Sequence, residues 1–318
     1  MKLFHETSIS LYSKKDLKVC ILSDIHFSYR VRNQKLNSLR EKIEKRKPDY
    51  IFMPGDIVDS NNMIENKAEE KRLLKWLASL GEIAPVLISE GNHDVYKKTS
   101  KEKRRASGDK WEIYKNSAFQ KKVNSLKNVH YLDNEVYEDE NLYCFGLTLS
   151  PKTYCLLKAE KGIMKTSKTG EDIDEFLKSL KSVEKKIKNL PKDKLKVALI
   201  HSPASLSNKD IKSELSEFDY FISGHMHNGL VIPGVAELWH SDCGVVSPSR
   251  KLIAKNTRLS RRTLKEGLII TGAVTTWHES VGLAHNLNAL YPSYFTTVKF
   301  VSDKEFKEPK VHKRYLRY

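Results

Sequence analysis

The chain has 318 residues, 39% of them apolar and 30% charged, which is long enough to bury a substantial core without staples and places it in the globular class. Its 56 Lys and Arg against 40 Asp and Glu leave a formal charge of +16, an excess that gathers phosphates, nucleic acid or acidic lipid headgroups without choosing among them. No transmembrane segment is visible, the opening MKLFHETSISLYSKKDLK has no signal-peptide core, and Cys20, Cys144, Cys155 and Cys243 show no paired spacing, so a cytoplasmic location with reduced thiols is expected.

From Leu17 apolar, strand-like runs alternate with amphipathic stretches, which predicts an α/β architecture with central sheets and outer helices. Val19–Leu22 is the first expected strand. Residues 32–47 follow as a helix, with Leu36, Leu39 and Ile43 on one face and Pro48 beyond its end. Residues 50–53 make the second strand. A helix over 66–80 carries Leu73, Leu77 and Leu80 on one face, with Gly81 as a left-handed stop, and 85–88 is the third strand. The run 97–110 has seven basic residues in fourteen and almost no apolar ones, so it is expected as an exposed insertion or lid. Further strands are predicted at 129–132, 142–149, 195–200, 218–223, 268–271 and 294–301, and a helix at 171–189. A single domain over 17–301 and a charged tail over 302–318 complete the expected organisation.

Five strands end in metal-capable side chains: Ser23-Asp24-Ile25-His26, Gly55-Asp56-Ile57-Val58-Asp59, Gly91-Asn92-His93-Asp94, His201-Ser202, and Gly224-His225-Met226-His227. In open α/β sheets the ligand crevice lies at the carboxyl ends of the strands, so these segments are expected to converge. Each alone is ordinary turn chemistry or a surface histidine. An extended backbone at 225–227 would point both imidazoles to one side and Met226 to the other.

The ordered set D-x-H, G-D-x-x-D, G-N-H-D, H and G-H-x-H resembles the calcineurin-like metallophosphoesterase superfamily over residues 18–229. The resemblance implies a β-sandwich flanked by helices with two metal ions at the strand ends. It also implies Asp24, His26 and His227 as ligands of one ion, Asn92, His201 and His225 as ligands of the other, and Asp56 as the carboxylate bridging both. His93 matches a histidine that stabilises the transition state or protonates the leaving oxygen, and Asp59 the carboxylate that orients it. For Asp94 two roles stand open, a hydrogen bond behind the ligands and a helix N-cap.

Two divalent ions held this way clamp a phosphoryl oxygen and activate a bound water. Carboxylate, amide and imidazole ligands without thiolate suit manganese, iron or zinc, manganese being the family's suggestion. The expected reaction is hydrolysis of a phosphodiester or pyrophosphate bond in a small or lipid-linked substrate. Ser60 stands where phosphoprotein phosphatases of the superfamily carry Arg, and Asn228 and Leu230 depart from the Gly-Gly-Gln ending of the bacterial phosphodiesterases that the chain otherwise resembles. The basic segments 97–110, 249–265 and 304–317 keep a nuclease as the enzymatic rival. A non-catalytic scaffold of the same fold, as in a retromer subunit, lacks the histidine that His93 supplies here. Trp277 and His278 are candidates for the pocket wall, and the Leu-rich 73–80 reads as a core-facing helix rather than a lipid contact.

Overall fold

The computed structural model describes residues 3–59, 66–95, 117–148, 177–203, 206, 209–227, 239–240, 245–246, 259, 261–275, 293–303, 306 and 308–317. The basic run 97–110, residues 249–258, Ser60, Asn228, Leu230, Trp277, His278, Cys155 and Cys243 lie outside the described residues.

The elements in order are β1 (Leu3–Tyr12), β2 (Leu17–Ile21), α1 (Asn33–Arg46), β3 (Tyr50–Pro54), α2 (Lys67–Gly81), β4 (Val86–Ser89), α3 (Asn92–Val95), α4 (Ser117–Asn124), β5 (Val129–Tyr131), β6 (Glu135–Glu138), β7 (Leu142–Leu147), β8 (Leu195–Ile200), α5 (Lys209–Glu214), β9 (Tyr220–Ser223), β10 (Trp239–His240), β11 (Val245–Val246), α6 (Arg261–Lys265), β12 (Leu268–Ile270), β13 (Ser293–Val301) and β14 (Lys310–Arg317). A seven-stranded sheet runs β14-β1-β13-β2-β3-β4-β5, a five-stranded one β12-β9-β8-β7-β6, and β10 pairs with β11. The architecture is therefore α/β, two sheets flanked by helices, as expected.

The side-chain alternation of the strands builds three apolar layers. Val19 and Ile21, Tyr50 and Phe52, and Leu87 meet Leu142, Cys144, Val197, Leu199, Ile222 and Ile269 in the space between the sheets. The intervening residues Cys20, Leu22, Ile51, Met53, Val86 and Ile88 face outward against Leu36, Leu39 and Ile43 of α1 and Leu73, Trp76, Leu77 and Leu80 of α2. Ala198, Ile200, Phe145 and Phe221 cover the other outer face with Leu180 and Ile211. Burial on both faces explains why these strands read as unbroken apolar runs. Burial also pushes the Cys20 thiol up to about 12, and Cys144 upward as well, so both are packing residues; neither forms a disulfide.

Several expectations need correction. The strand β1, ahead of the first expected one, pairs parallel with β13 and antiparallel with β14. It was hidden because Phe4, Ile9 and Leu11 are interspersed with buried polar residues, among them Glu6 and Thr7. Glu6 is accommodated by a forked ion pair with Arg46 of α1 (Oε1 to Nε 2.7 Å, Oε2 to Nη2 2.5 Å) and by the Thr297 hydroxyl at 2.7 Å. The charged segment expected as a tail forms, over 310–317, the edge strand of the sheet. Gly81 is the last helical residue and the following cap, Glu82, is right-handed. What demands glycine there is close packing, since a Cβ would stand 2.5 Å from the Lys127 carbonyl. Within 171–189 the described residues are helical only over 177–182, followed by a 3-10 turn at Glu184–Lys186.

Candidate metal centre

Strands β2 to β5 are mutually parallel, as are β7, β8, β9 and β12, so the loops after β2, β3, β4, β8 and β9 leave at carboxyl ends. The backbone stitches these loops together. His26 N–H donates to Asp56 O (3.0 Å), Phe27 N–H to Ile57 O (2.9 Å) and Gly224 N–H to His201 O (3.0 Å), while His201 Nδ1 reaches across to Pro54 O at 2.7 Å.

Every motif residue named from the sequence is brought into this region. Asp24, His26, Asp56 and His227 converge as one group, and Asp56, His201 and His225 as a second, with ligand atoms mutually within 4.8 Å; Asp56 belongs to both. His227 Nε2 stands 3.0 Å from Asp24 Oδ1 and 2.9 Å from His26 Nε2, and His201 Nε2 stands 3.1 Å from Asp56 Oδ2. His227 falls in the first group and His225 in the second, and Met226 is buried. The extended backbone expected at 225–227 is not adopted. His225 and His227 are not extended but left-handed, with φ of 67° and 49°, as are Asp24, His26 and Asp56. Five non-glycine residues held in this sparsely populated region mark a site where the surrounding structure imposes the backbone.

The surroundings make that imposition possible. Asp94 is buried, and its carboxylate accepts four backbone N–H groups: Gly91 (2.8 Å) and Asp56 (3.0 Å) on Oδ2, Ile57 (3.0 Å) and Val58 (3.1 Å) on Oδ1. It acts behind the ligands rather than as a helix cap alone. Asp24 likewise accepts the His225 N–H at 3.1 Å. Gly224 is a residue whose need the sequence did not reveal, because a Cβ there would strike Ser23 Oγ and the Asp24 carboxylate.

His93 differs in one respect from expectation. Its Nδ1 lies 2.8 Å from the main-chain carbonyl of Asp59, and the Asp59 carboxylate forms a third group with His26 and His93, ligand atoms mutually within 4.8 Å, its Oδ1 3.9 Å from His26 Nδ1. The His93 N–H in turn donates to Asp56 Oδ1 at 2.8 Å, and its ring packs edge-on against His26.

The donor set fits divalent cations. Among the described residues no hydrogen-bond donor satisfies the buried Asn92 Oδ1, Asp56 Oδ2 faces only the ring nitrogen of His201 at 3.1 Å, and at most one proton can lie between the facing ring nitrogens of His26 and His227. Burial, then the nearby His93, pushes His26 down to about 3, which keeps its imidazole neutral and ligand-ready. Burial opposes the charge of Asp56, but His201 and His93 outweigh it and hold the carboxyl well below the usual range. Burial lowers His201 too, yet the Asp56 charge prevails and raises it to about 10.

A family model described as calcineurin-like phosphoesterase matches residues 17–229. The chain belongs to the calcineurin-like phosphoesterase family. The chain is also similar to an uncharacterized metallophosphoesterase of Campylobacter jejuni, 29% identical over 83 residues, a stretch covering 26% of this chain and 21% of that protein; the match therefore spans about a fifth of the relative's length. Among solved structures it is similar to the nuclease MPE of Pseudomonas putida, with a TM-score of 0.32 and 12% identity over 70% of this chain and 67% of that one. The buried histidine and aspartate groups are where the chain could hold metal ions. No helix among the described residues is long and apolar enough to cross a membrane.

Proposed function

We propose that the protein is a dinuclear phosphodiesterase, hydrolysing a phosphodiester or pyrophosphate bond of a small or lipid-linked substrate. The observation that carries this reading is the sharing of Asp56 by the two ligand groups, the position a bridging carboxylate takes to offset the repulsion of neighbouring cations. Asp24, His26 and His227 would hold one cation, and His201, His225 and the amide oxygen of Asn92 the other. Oxygen and imidazole donors without thiolate favour manganese, with iron or zinc as alternatives. When bound, the pair supplies Lewis acidity toward the phosphoryl oxygens and an activated water.

The chain's own residues contribute position and protons. Asp94 fixes the backbone from Asp56 to Val58 by its carboxylate bonds, so the bridging side chain is oriented before any ligand arrives. His93 donates its Nδ1 hydrogen to the Asp59 carbonyl, which leaves Nε2 to pass a proton to the departing oxygen. His93 and the complete ligand set weigh against a non-catalytic scaffold. The charge of +16 favours a nuclease as the second reading. We place the activity in a single domain that includes β1 and β14, in the cytoplasm.

The test is metal analysis of the purified protein with manganese-dependent turnover of bis-p-nitrophenyl phosphate and p-nitrophenyl phosphate, for the parent and Asp56→Asn. About two metals per chain and diester turnover, both lost in the variant, are expected. A chain that takes up no metal and turns over neither ester with manganese, zinc or iron overturns the reading.

A further inference from the structure

Two residues beyond His26 the chain makes a tight turn, closed by the Val31 N–H donating to the Ser28 carbonyl at 2.9 Å. Tyr29 and Arg30 occupy its two central positions, both exposed. Tyr29 is 65% exposed, against 46% for Tyr12 and 38% for Val311, the other large apolar side chains at the described surface. The Arg30 guanidinium carbon sits 5.1 Å from the Tyr29 ring centroid, within the range of a cation–π contact.

The turn is held rigidly from below. Phe27 and Val31, which flank it, are buried, and Phe27 bridges to Val58 in the loop that carries Asp56 and Asp59. Arg72 of α2 donates to both carbonyl ends of the turn, Ser28 O at 2.8 Å and Val31 O at 2.6 Å, and to Asn33 Oδ1 at 3.0 Å. The same guanidinium lies 4.3 Å from the centroid of the Phe27 ring and pairs with Glu69 at 2.6 Å. Three residues of chain span at most about 11 Å, so Tyr29 stands within a nucleotide's reach of His26.

We propose that the Tyr29–Arg30 turn is the specificity platform of this site, stacking a nucleobase joined to the scissile phosphate and pairing Arg30 with an anionic oxygen of the same substrate. This deepens the phosphodiesterase reading and rests on it. A phenol ring on a braced support loses little freedom on binding, so the stacking contact is not offset by ordering. The exposed neighbours Arg32, Asn33 and Gln34 are polar, which removes the contiguous apolar surface that an acyl chain needs. A base requires only one open aromatic face, and bases of every kind have a π surface to offer.

The test compares thymidine 5′-(p-nitrophenyl phosphate) with methyl p-nitrophenyl phosphate, which has the same leaving group and no base, in the manganese-loaded parent, Tyr29→Ala and Tyr29→Trp. Tyr29→Ala should raise KM for the thymidine diester about 5- to 150-fold, the range found when a stacking aromatic is truncated to alanine, with the methyl diester unchanged and Tyr29→Trp close to the parent. Equal loss on both diesters assigns Tyr29 a merely structural role, and no change on either diester together with unchanged oligothymidylate binding removes it from substrate binding; both overturn the platform. Fluorescence anisotropy of a labelled oligothymidylate in EDTA gives a second readout independent of turnover. If the parent hydrolyses neither diester, the phosphodiesterase reading fails, and weaker oligothymidylate binding by Tyr29→Ala still supports the platform while unchanged binding refutes it. An effect on the oligonucleotide but not on the thymidine diester identifies single-stranded nucleic acid, rather than a free nucleotide, as the source of the base.

Discussion

At the scale of single residues, the contact between His93 and Asp59 decides what each contributes. Because the main-chain carbonyl of Asp59 holds His93 Nδ1, removing the carboxylate charge leaves that bond in place. Asp59→Asn is therefore expected to lower kcat on bis-p-nitrophenyl phosphate by less than about tenfold, whereas His93→Gln, which removes the proton donor, should lower it by about 10²- to 10⁴-fold. Steady-state kinetics on the two variants checks this, and an Asp59→Asn loss as deep as that of His93→Gln would return the orienting role to the carboxylate. Which atoms of Asp59 meet the imidazole was not legible in GDxxD, since the motif records a residue type and the choice between side chain and carbonyl depends on where the loop turns.

At the scale of elements, two buried carboxylates tie segments that are distant in sequence. Asp94 joins α3 to the loop after β3 through the N–H groups of Asp56, Ile57 and Val58, and also accepts that of Gly91. A buried donor left unsatisfied costs about 1–3 kcal/mol, so Asp94→Ala should destabilise the fold by at least ~3 kcal/mol in urea unfolding and reduce bound metal, with Asp94→Asn, which retains one carbonyl oxygen, between the two. Glu6 joins β1 to α1 through Arg46 and to β13 through Thr297. Stripping the partner from a buried charge costs roughly 3–5 kcal/mol; Arg46→Met is expected to lose that much stability, and the double variant with Glu6→Gln to recover part of it, as thermal melts of the set would show. Strands with both faces buried, such as Tyr50–Pro54 and Leu195–Ile200, announced themselves as apolar runs. The first and last strands did not, because they pair with each other across roughly the whole chain, and no local window contains both.

For the whole molecule, net charge and site make different demands on the substrate. A small diester touches few cationic groups, so the magnitude of the log–log salt slope of its kcat/KM should stay near about 1, while a polynucleotide that engages the basic surface gives a slope that grows by about 0.7 for each phosphate neutralised on a single strand. Turnover of both substrate kinds between about 50 and 200 mM salt separates the phosphodiesterase from the nuclease, and a steep slope on the small diester would count against the proposal.

The amino-acid order by itself determined the class of fold, the carboxyl-end location of the site and the residues that enter it, because hydrophobic period and donor chemistry are local properties that a string of residues carries intact. The extended backbone that its local pattern suggests for His225 to His227 is not the one the fold adopts. Tertiary structure alone decided the left-handed backbone at Asp24, His26, Asp56, His225 and His227, the use of the Asp59 carbonyl, the bracing of the Tyr29–Arg30 turn by Arg72, and the recruitment of β1 and β14 into one sheet. Each of these requires a hydrogen-bonding partner brought from a remote strand or helix. A strained or polar backbone persists only where such partners repay its cost, and where they lie is a property of the packed chain.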